Sequence, residues 1–302
     1  MTDSPLLTDA RPPLPGPPVP GPARPAAPPR TALGRYAEAW RIGMRITALN
    51  FRAQLEYRGE FLLQVCVGIV WQMSIIVFAT VLLSRFSGMG GWSSPDILLG
   101  VAVRMLSNGL SVLICGNVGQ VVNLAQAGRI DGFLLRPMPV YRQVLLSRFP
   151  VNALGDVTVG IALFVGALER STVDWTPGRS AYLVATVIGA TLVTCAIFTA
   201  ISAAGLHYPS TTYWDSWVDE LTSTFGSYPL SIMPRLASGA LTFVLPLAFI
   251  AYLPIGVLTG HSSSLGVPVA LAAAAPAVGL AAFVAARLLW NASLRRYKGV
   301  NG

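Results

Sequence analysis

Charged side chains are scarce in this chain. Only 11% of the 302 residues are Asp, Glu, Lys or Arg, while 53% are hydrophobic, whereas soluble domains have about 25% charged and about 45–50% apolar residues. Cysteine is also rare, and Cys66, Cys115 and Cys195 lie singly within apolar runs, without the spacing of a C-x-x-C or Cys/His site. These absences argue against a soluble domain and against disulfide or zinc chemistry.

Lysine and histidine are nearly absent. The one lysine, Lys298, lies between Tyr297 and Gly299, so the chain lacks G-x-x-x-x-G-K-[ST], the loop that holds nucleotide phosphates. The only histidines are His207 and His261, and neither H-E-x-x-H nor G-x-S-x-G occurs. The first pattern marks zinc hydrolases and the second marks hydrolases with a Ser/His pair. We expect no ATP hydrolysis and no other catalysis by this chain alone.

The basic residues lie between apolar runs. All 21 except Lys298 are arginines, and the formal net charge is +8. Nucleic-acid-binding proteins collect Lys and Arg on one stripe of a soluble surface, whereas arginines between apolar runs are typical of membrane topology signals. This pattern argues against a nucleic-acid partner.

Long apolar runs are the main feature that is present. A run of 24 residues reaches about 36 Å as a helix, and a bilayer core is about 30 Å thick. The sequence therefore predicts an all-α integral membrane protein, with spans at 61–84, 97–120, 151–168, 181–206 and 267–290.

Arginine placement predicts the topology. Most basic residues lie in or beside the N-terminal region, in the loop after the second span and at the C-terminus, so both termini are expected in the cytoplasm. An even number of crossings then requires a sixth span, which we assign to 211–233 with Asp219 near its cytoplasmic end. The stretch 236–258 contains Pro246 and Pro254 and is expected to be a re-entrant or surface hairpin.

Two segments precede the first span. Residues 1–30 are rich in Pro, Ala and Gly and are expected to form a disordered cytoplasmic tail ahead of a transmembrane domain over 31–302. Residues 33–58 place apolar side chains at helical spacing beside arginines. This pattern predicts an amphipathic helix that lies on an anionic membrane surface, with packing on a soluble core as the alternative.

Two charges and a small-residue stretch lie within the spans. Arg104 and Asp156 fall in neighbouring spans, where they form either a structural ion pair or a substrate contact. Gly279 lies in the Ala-rich last span, and small residues allow close helix packing within the chain or between two chains.

The loop over 123–148 mixes apolar and charged residues. Phe133, Leu134 and Leu135 lie between Asp131 and Arg136. A short helix here would present an apolar knob with charged flanks to a soluble partner, and the alternative is a solvated connector along the membrane surface.

Two groups of residues carry a family resemblance: Gly128-x-Ile130-Asp131-x-x-Leu134-Leu135-x-Pro137 in the loop, and Tyr228-Pro229-Leu230-Ser231-Ile232, Leu245-Pro246 and Ala251-Tyr252-x-Pro254 before the last span. Over about 33–297 they resemble the membrane subunits of type-2 ABC (ATP-binding cassette) exporters, in their bacterial six-span branch. The resemblance implies a multi-pass permease in the bacterial inner membrane that pairs with a second permease chain and exports its cargo.

The same resemblance implies where energy enters. ABC ATPase subunits in the cytoplasm would bind ATP and Mg²⁺, and would dock on the amphipathic helix and the loop. It assigns coupling to Gly128, Ile130, Asp131, Phe133, Leu134, Leu135, Arg136 and Pro137. Candidates for the translocation path are Arg104, Asp156, Asp219, Tyr228, Pro229, Pro246 and Pro254.

Two other functions stay open at the level of sequence. An ion-coupled secondary transporter would use Arg104, Asp156 and Asp219 as a charge relay. A membrane-embedded lipid-modifying enzyme is disfavoured, because no nucleophile, metal or base cluster can be assembled from these residues.

Overall fold

The computed structural model of the protein describes residues 32–85, 88–89, 91–208, 214, 217, 220–222, 235–243, 245–261, 265–297 and 299. Over these residues the chain is almost entirely helical, with one antiparallel pair of two-residue strands, β1 (Gly88–Met89) and β2 (Trp92–Ser93). Five helices are long and apolar enough to cross a membrane, which confirms the predicted all-α membrane class. The predicted tail over 1–30 and most of the predicted sixth span over 211–233 lie outside the described residues.

The helices follow one another in this order: α1 (Ala32–Glu56), α2 (Arg58–Arg85), α3 (Ser94–Cys115), α4 (Val121–Gln126), α5 (Arg129–Leu134), α6 (Val140–Leu145), α7 (Asn152–Arg170), α8 (Pro177–Gly205), α9 (Arg235–Phe243), α10 (Tyr252–Leu258), α11 (Val269–Ala273) and α12 (Ala275–Arg295). Single turns of 3-10 helix cover Gly116–Gln120 and Leu247–Phe249. The five long apolar helices are α2, α3 with its extension to Gln126, α7, α8 and α12.

The last span departs from its predicted bounds. The structure divides the predicted continuous helix over 267–290 into α11 and α12, with a break at Ala274. Proline explains both starts, because it lacks a backbone N–H and is accepted only before a helix or in its first turn. Pro268 precedes α11, and Pro276 lies in the first turn of α12, which continues to Arg295.

Helix α3 is the centre of the bundle. Residues 96–107 are all buried, and α3 packs along α7 and α8. Its start is capped by Ser93, whose hydroxyl donates to the Asp96 carboxylate at 2.6 Å and accepts from the Asp96 backbone N–H at 3.4 Å. Pro95 in the first turn adds a second start signal.

Glycines allow the helices to approach closely. In α12, a Cβ on Gly279 would lie 2.8 Å from the Gly189 carbonyl carbon of α8, and in α3 a Cβ on Gly109 would lie 3.0 Å from the Val157 backbone nitrogen of α7. Close approach of small residues is the usual basis of helix association in lipid. Gly279 therefore packs within the chain, one of the two alternatives left open by the sequence.

The proline-containing segment before α11 consists of short pieces. Helix α9 ends at Phe243, and after Pro246 the chain continues through a 3-10 turn into α10. Residues 247–256 are buried, with α10 against α3 and α8. The apolar stretch Leu247–Leu258 reaches only about 18 Å as a helix, too short to cross a bilayer core.

Candidate functional site

A sharp turn separates α4 from α5 in the loop after the second long span. Its corner is Gly128, with φ of +68°, a conformation that costs an L-residue with a side chain about 1–2 kcal/mol. The backbone N–H groups of Ala127 and Gly128 donate to the carbonyls of Asn123 and Ala125 at 3.0 and 2.9 Å. Glycine is needed here by the turn, before any contact with a partner is considered.

Helix α5 has an inner and an outer side. Ile130 is fully buried and Phe133 is 7% exposed, whereas Leu134 is 49% exposed and Leu135 is 89% exposed. The predicted short helix is present, and Leu134 and Leu135 face outward as an apolar pair. Phe133 faces inward instead, because residues three apart share a helix face and Ile130 is already in the core.

Gln143 holds the chain beyond α5 in place. Its side-chain amide donates to the carbonyls of Phe133 at 2.8 Å and Met138 at 2.7 Å, and the residue is 6% exposed. This residue was not predicted from the sequence. The available signal was a polar side chain in α6 among the buried residues Val140, Tyr141 and Val144, because buried polar groups require partners.

Asp131 and Arg136, the charged residues on either side of the exposed leucines, have neighbours within the chain. The Arg136 guanidinium lies 5.6 Å from the centre of the Phe133 ring. Asp131 faces the C-terminal segment, where a Cβ on Gly299 would lie 3.5 Å from its carboxylate. Burial and the nearby Asp131 charge raise the pKa of the Tyr297 hydroxyl. Both charges therefore have neighbours within the chain, in addition to any contact with a partner.

Tyr141 in α6 connects the loop to three long helices. Its hydroxyl shares a hydrogen bond with Thr199 of α8 at 2.9 Å and lies 3.8 Å from the Cys115 sulfur of α3. Its ring packs edge-to-face on Trp290 of α12 with 5.3 Å between centres, and the Arg287 guanidinium lies 3.5 Å from the ring centre. Residues of α5 and α6 and of these three helix ends belong to one buried cluster.

The second half of α1 contacts the segment after α6. Asn50 donates a side-chain hydrogen bond to the Leu146 carbonyl at 2.7 Å, and the Phe51 and Phe149 rings meet edge-to-face with 5.0 Å between centres. Asn117, in the 3-10 segment that follows α3, donates to the Leu145 carbonyl at 2.8 Å. This part of α1, the end of α3 and the loop therefore form one packed unit.

Two candidates for the translocation path, Arg104 and Asp156, are buried within the helix bundle. Arg104 is 2% exposed and Asp156 is 6% exposed, on the adjacent helices α3 and α7. Asp156 lies level with Gly109, about 7.5 Å along α3 from Arg104. A Cβ on Gly68 of α2 would lie 3.3 Å from the Asp156 carboxylate. Pairing of the two charges stays a prediction.

The remaining path candidates belong to the segment before the last span. Pro246 ends the irregular stretch before the 3-10 turn, and Pro254 is buried in α10. Asp219, Tyr228 and Pro229 lie outside the described residues. The described part of the chain contains no group of three His, Cys, Asp or Glu side chains arranged to hold a metal ion.

A second polar cluster, which was not predicted from the sequence, joins the start of α3 to the end of α10. The His261 ring stacks on Trp92 with 4.9 Å between centres and accepts from or donates to Thr259 at 2.9 Å. Its Nδ1 lies 4.0 Å from the carboxylate of Asp96, which is 5% exposed. The cluster fastens the short strand pair to the proline-containing segment.

In the part of the chain that the structure describes, five membrane-length helices, with a compact set of short helices between the second and third, define the class as a multi-pass helical membrane protein. A family model described as ABC-2 family transporter protein matches residues 69–300. The chain belongs to this family. No curated protein and no solved structure matches it.

Family membership gives the broad function. The chain is a membrane permease component of an ABC transporter, a transport subunit that is not itself catalytic, and the family implies association with ABC ATPase partners. The matched residues include every helix from the interior of α2 to the end of α12.

Proposed function

We propose that this chain is the permease of an ATP-driven exporter in the bacterial inner membrane, with both termini in the cytoplasm, and that separate ATPase subunits move it by docking on α5. On this proposal ATP and Mg²⁺ bind the ATPase, and two permease chains, identical or different, form the path. The observation that supports it is the pair of exposed leucines, Leu134 and Leu135, on a helix whose opposite face is fixed in the core.

The exposed pair has the properties of a docking contact. Leu135 is almost completely solvent-exposed although it is apolar, and exposed apolar side chains on a rigid support are typical anchors for a partner. The support is rigid because Ile130 and Phe133 are buried and Gln143 ties down the following turn. The two leucines would fill an apolar depression on the ATPase, while Asp131 and Arg136 would orient it.

Force applied at α5 would reach the membrane through Tyr141. Closure of the ATPases on ATP would push α5, and the shared cluster would carry α6 with it. Because Tyr141 contacts α3, α8 and α12, their ends would shift together and convert the path between inward-open and outward-open states. Contiguous packed side chains of this kind transmit coupling between sites. Arg104, Asp156, Pro246 and Pro254 are the described candidates that would border this path.

The docking role is tested with Leu134→Ser/Leu135→Ser. We expect the ATPase subunit to be lost from the purified complex, because a docking contact loses about 1.5–3 kcal/mol for each leucine side chain that it no longer buries. The measurement is the ratio of ATPase to permease after affinity purification from membranes. Val269→Ser is the matched control, since Val269 is also apolar and 47% exposed but lies at the start of α11. Undiminished co-purification with full transport contradicts the proposed role.

A further inference from the structure

A groove of about 940 Å³ lies beside the loop and is lined by apolar, polar and charged side chains. Its apolar wall, Leu63, Val67 and Val112, belongs to the membrane-length helices, as do the polar lining residues Glu60 and Gln64. Arg129 and Arg148 also line the groove and lie between those helices, outside the spans. The groove is therefore bordered by apolar side chains of the spans and by two guanidinium groups outside them.

The electrostatics of the groove favour an anion. Among the described lining residues Glu60 is the only carboxylate, and its distance to Arg148 is 3.9 Å, with both side chains more than half exposed. A pair this open and long is weak, so an incoming phosphate can displace it. Arg129 is exposed. Two guanidinium groups against one carboxylate leave a net positive charge, and guanidinium groups bind phosphate through charge-assisted hydrogen bonds.

We propose that this groove binds one anionic phospholipid of the adjoining leaflet, with its phosphate on Arg129 and Arg148 and its acyl chains along Leu63 and Val67. Leu63 and Val67 are exposed by 64% and 58%, and an amphiphile covers both parts of the groove at once. A soluble anion would leave the apolar wall uncovered, and a soluble protein would have to enter membrane depth. The volume lies at the upper end of ligand pockets, which range from about 300 to about 1,000 Å³.

The bound lipid would act on the coupling helix. Arg129 is the first residue of α5, and Glu60 and Leu63 belong to the first turns of α2. A headgroup held between them fixes the start of α5 to α2. This consequence rests on the proposed role of α5, whereas lipid binding itself does not and is measured without any ATPase.

The test uses the full-length chain in a non-ionic detergent, with native mass spectrometry after addition of phosphatidylglycerol or phosphatidylcholine with the same acyl chains. We expect wild type to retain phosphatidylglycerol preferentially, and Arg129→Gln/Arg148→Gln to weaken this retention by about tenfold. The matched control is Arg295→Gln/Arg296→Gln, a pair of exposed arginines at the end of α12 that do not line the groove. We expect the control to change retention by less than about twofold.

A second variant gives a change of opposite sign. Glu60→Gln removes the carboxylate that competes for Arg148, and we expect phosphatidylglycerol to be retained more strongly than by wild type. Three results would overturn the proposal: equal retention by Arg129→Gln/Arg148→Gln and wild type, an equal loss in the Arg295→Gln/Arg296→Gln control, or equal retention of phosphatidylcholine and phosphatidylglycerol by wild type. Displacement of phosphatidylglycerol by an equal concentration of glycerol phosphate would also overturn it, because the site would then bind a soluble anion.

Discussion

Gly128 and Gly132 differ in backbone conformation, and this difference gives a test of the loop structure. Gly128 has φ of +68°, whereas Gly132 lies within α5 and is not among the glycines with positive φ. A Cβ would meet no atom within 4 Å at either position. Gly128→Ala should therefore destabilise the protein by about 1–2 kcal/mol through strain alone, while Gly132→Ala should stabilise it by about 0.4–1 kcal/mol. Thermal unfolding of the purified variants measures both, and equal shifts of Tm would contradict this account of the turn.

Gln143 gives a second prediction for single residues. Gln143→Leu removes two side-chain hydrogen bonds, to the Phe133 and Met138 carbonyls, and each is worth about 0.5–1.5 kcal/mol. We expect faster amide hydrogen exchange over 130–138 and weaker stimulation of the ATPase, with the long helices unchanged.

The control for this prediction is Gln126→Leu. Gln126 is exposed at the end of α4 in the same loop, and its side chain holds no part of the turn. Equal exchange rates over 130–138 in the two variants would show that Gln143 does not hold the turn.

The orientation of single side chains in α5 was partly predictable from the sequence. The apolar run of Phe133, Leu134 and Leu135 indicated a knob, and the outward position of the two leucines agrees with it. The inward turn of Phe133 follows from its spacing of three from Ile130. The partners of Tyr141 were beyond prediction, because Thr199 and Trp290 are distant in sequence and meet Tyr141 only when α8 and α12 have packed together.

At the scale of elements, hydropathy located the five long helices because a membrane span must be both long and apolar. The same signal failed at the start of the last one, because hydropathy does not register that Pro268 and Pro276 set separate helix starts on either side of the break at Ala274. Hydropathy also carries no information about which helices touch. Helices α8 and α12 approach each other closely at Gly189 and Gly279, and close approach has no hydropathy signature.

The close approach of α8 and α12 can be tested by adding one methyl group. Gly279→Ala places a Cβ within 2.9 Å of the Gly189 Cα, so the helices must separate, and overpacking of this kind costs about 1–3 kcal/mol. The control is Gly166→Ala in α7, where a Cβ meets no atom within 4 Å. We expect a lower Tm in detergent for Gly279→Ala and little change for the control. A Tm equal to wild type in Gly279→Ala would show that the two helices do not rely on this approach.

At the scale of the whole molecule, two linkages run between different parts of the chain. The Tyr141 contacts join the loop after the second long helix to α3, α8 and α12, and the His261 cluster joins the start of α3 to the segment after α10. Helix α3 takes part in both, at opposite ends, and is buried between them over 96–107. A rigid buried helix that is fastened at both ends is suited to carry a displacement across the membrane, and this supports the proposed mechanism.

The proposed topology places the two linkages on opposite sides of the membrane, and single cysteines test it. Cys66, Cys115 and Cys195 are first replaced by Ser or Ala. We expect Gln126→Cys and His207→Cys to react with a membrane-impermeant maleimide only in inside-out vesicles, and Thr172→Cys and Val269→Cys only in right-side-out vesicles, because all four residues are exposed. Gln126 and Thr172 flank α7 and serve as the reference pair for the two sides.

His207 and Val269 lie on either side of the predicted sixth span. Labelling of these two residues from opposite sides requires an odd number of crossings between them, because a re-entrant segment alone returns the chain to the side it left. If both label from one side, the segment between them does not cross, and the even number of spans and the shared location of the termini are both wrong.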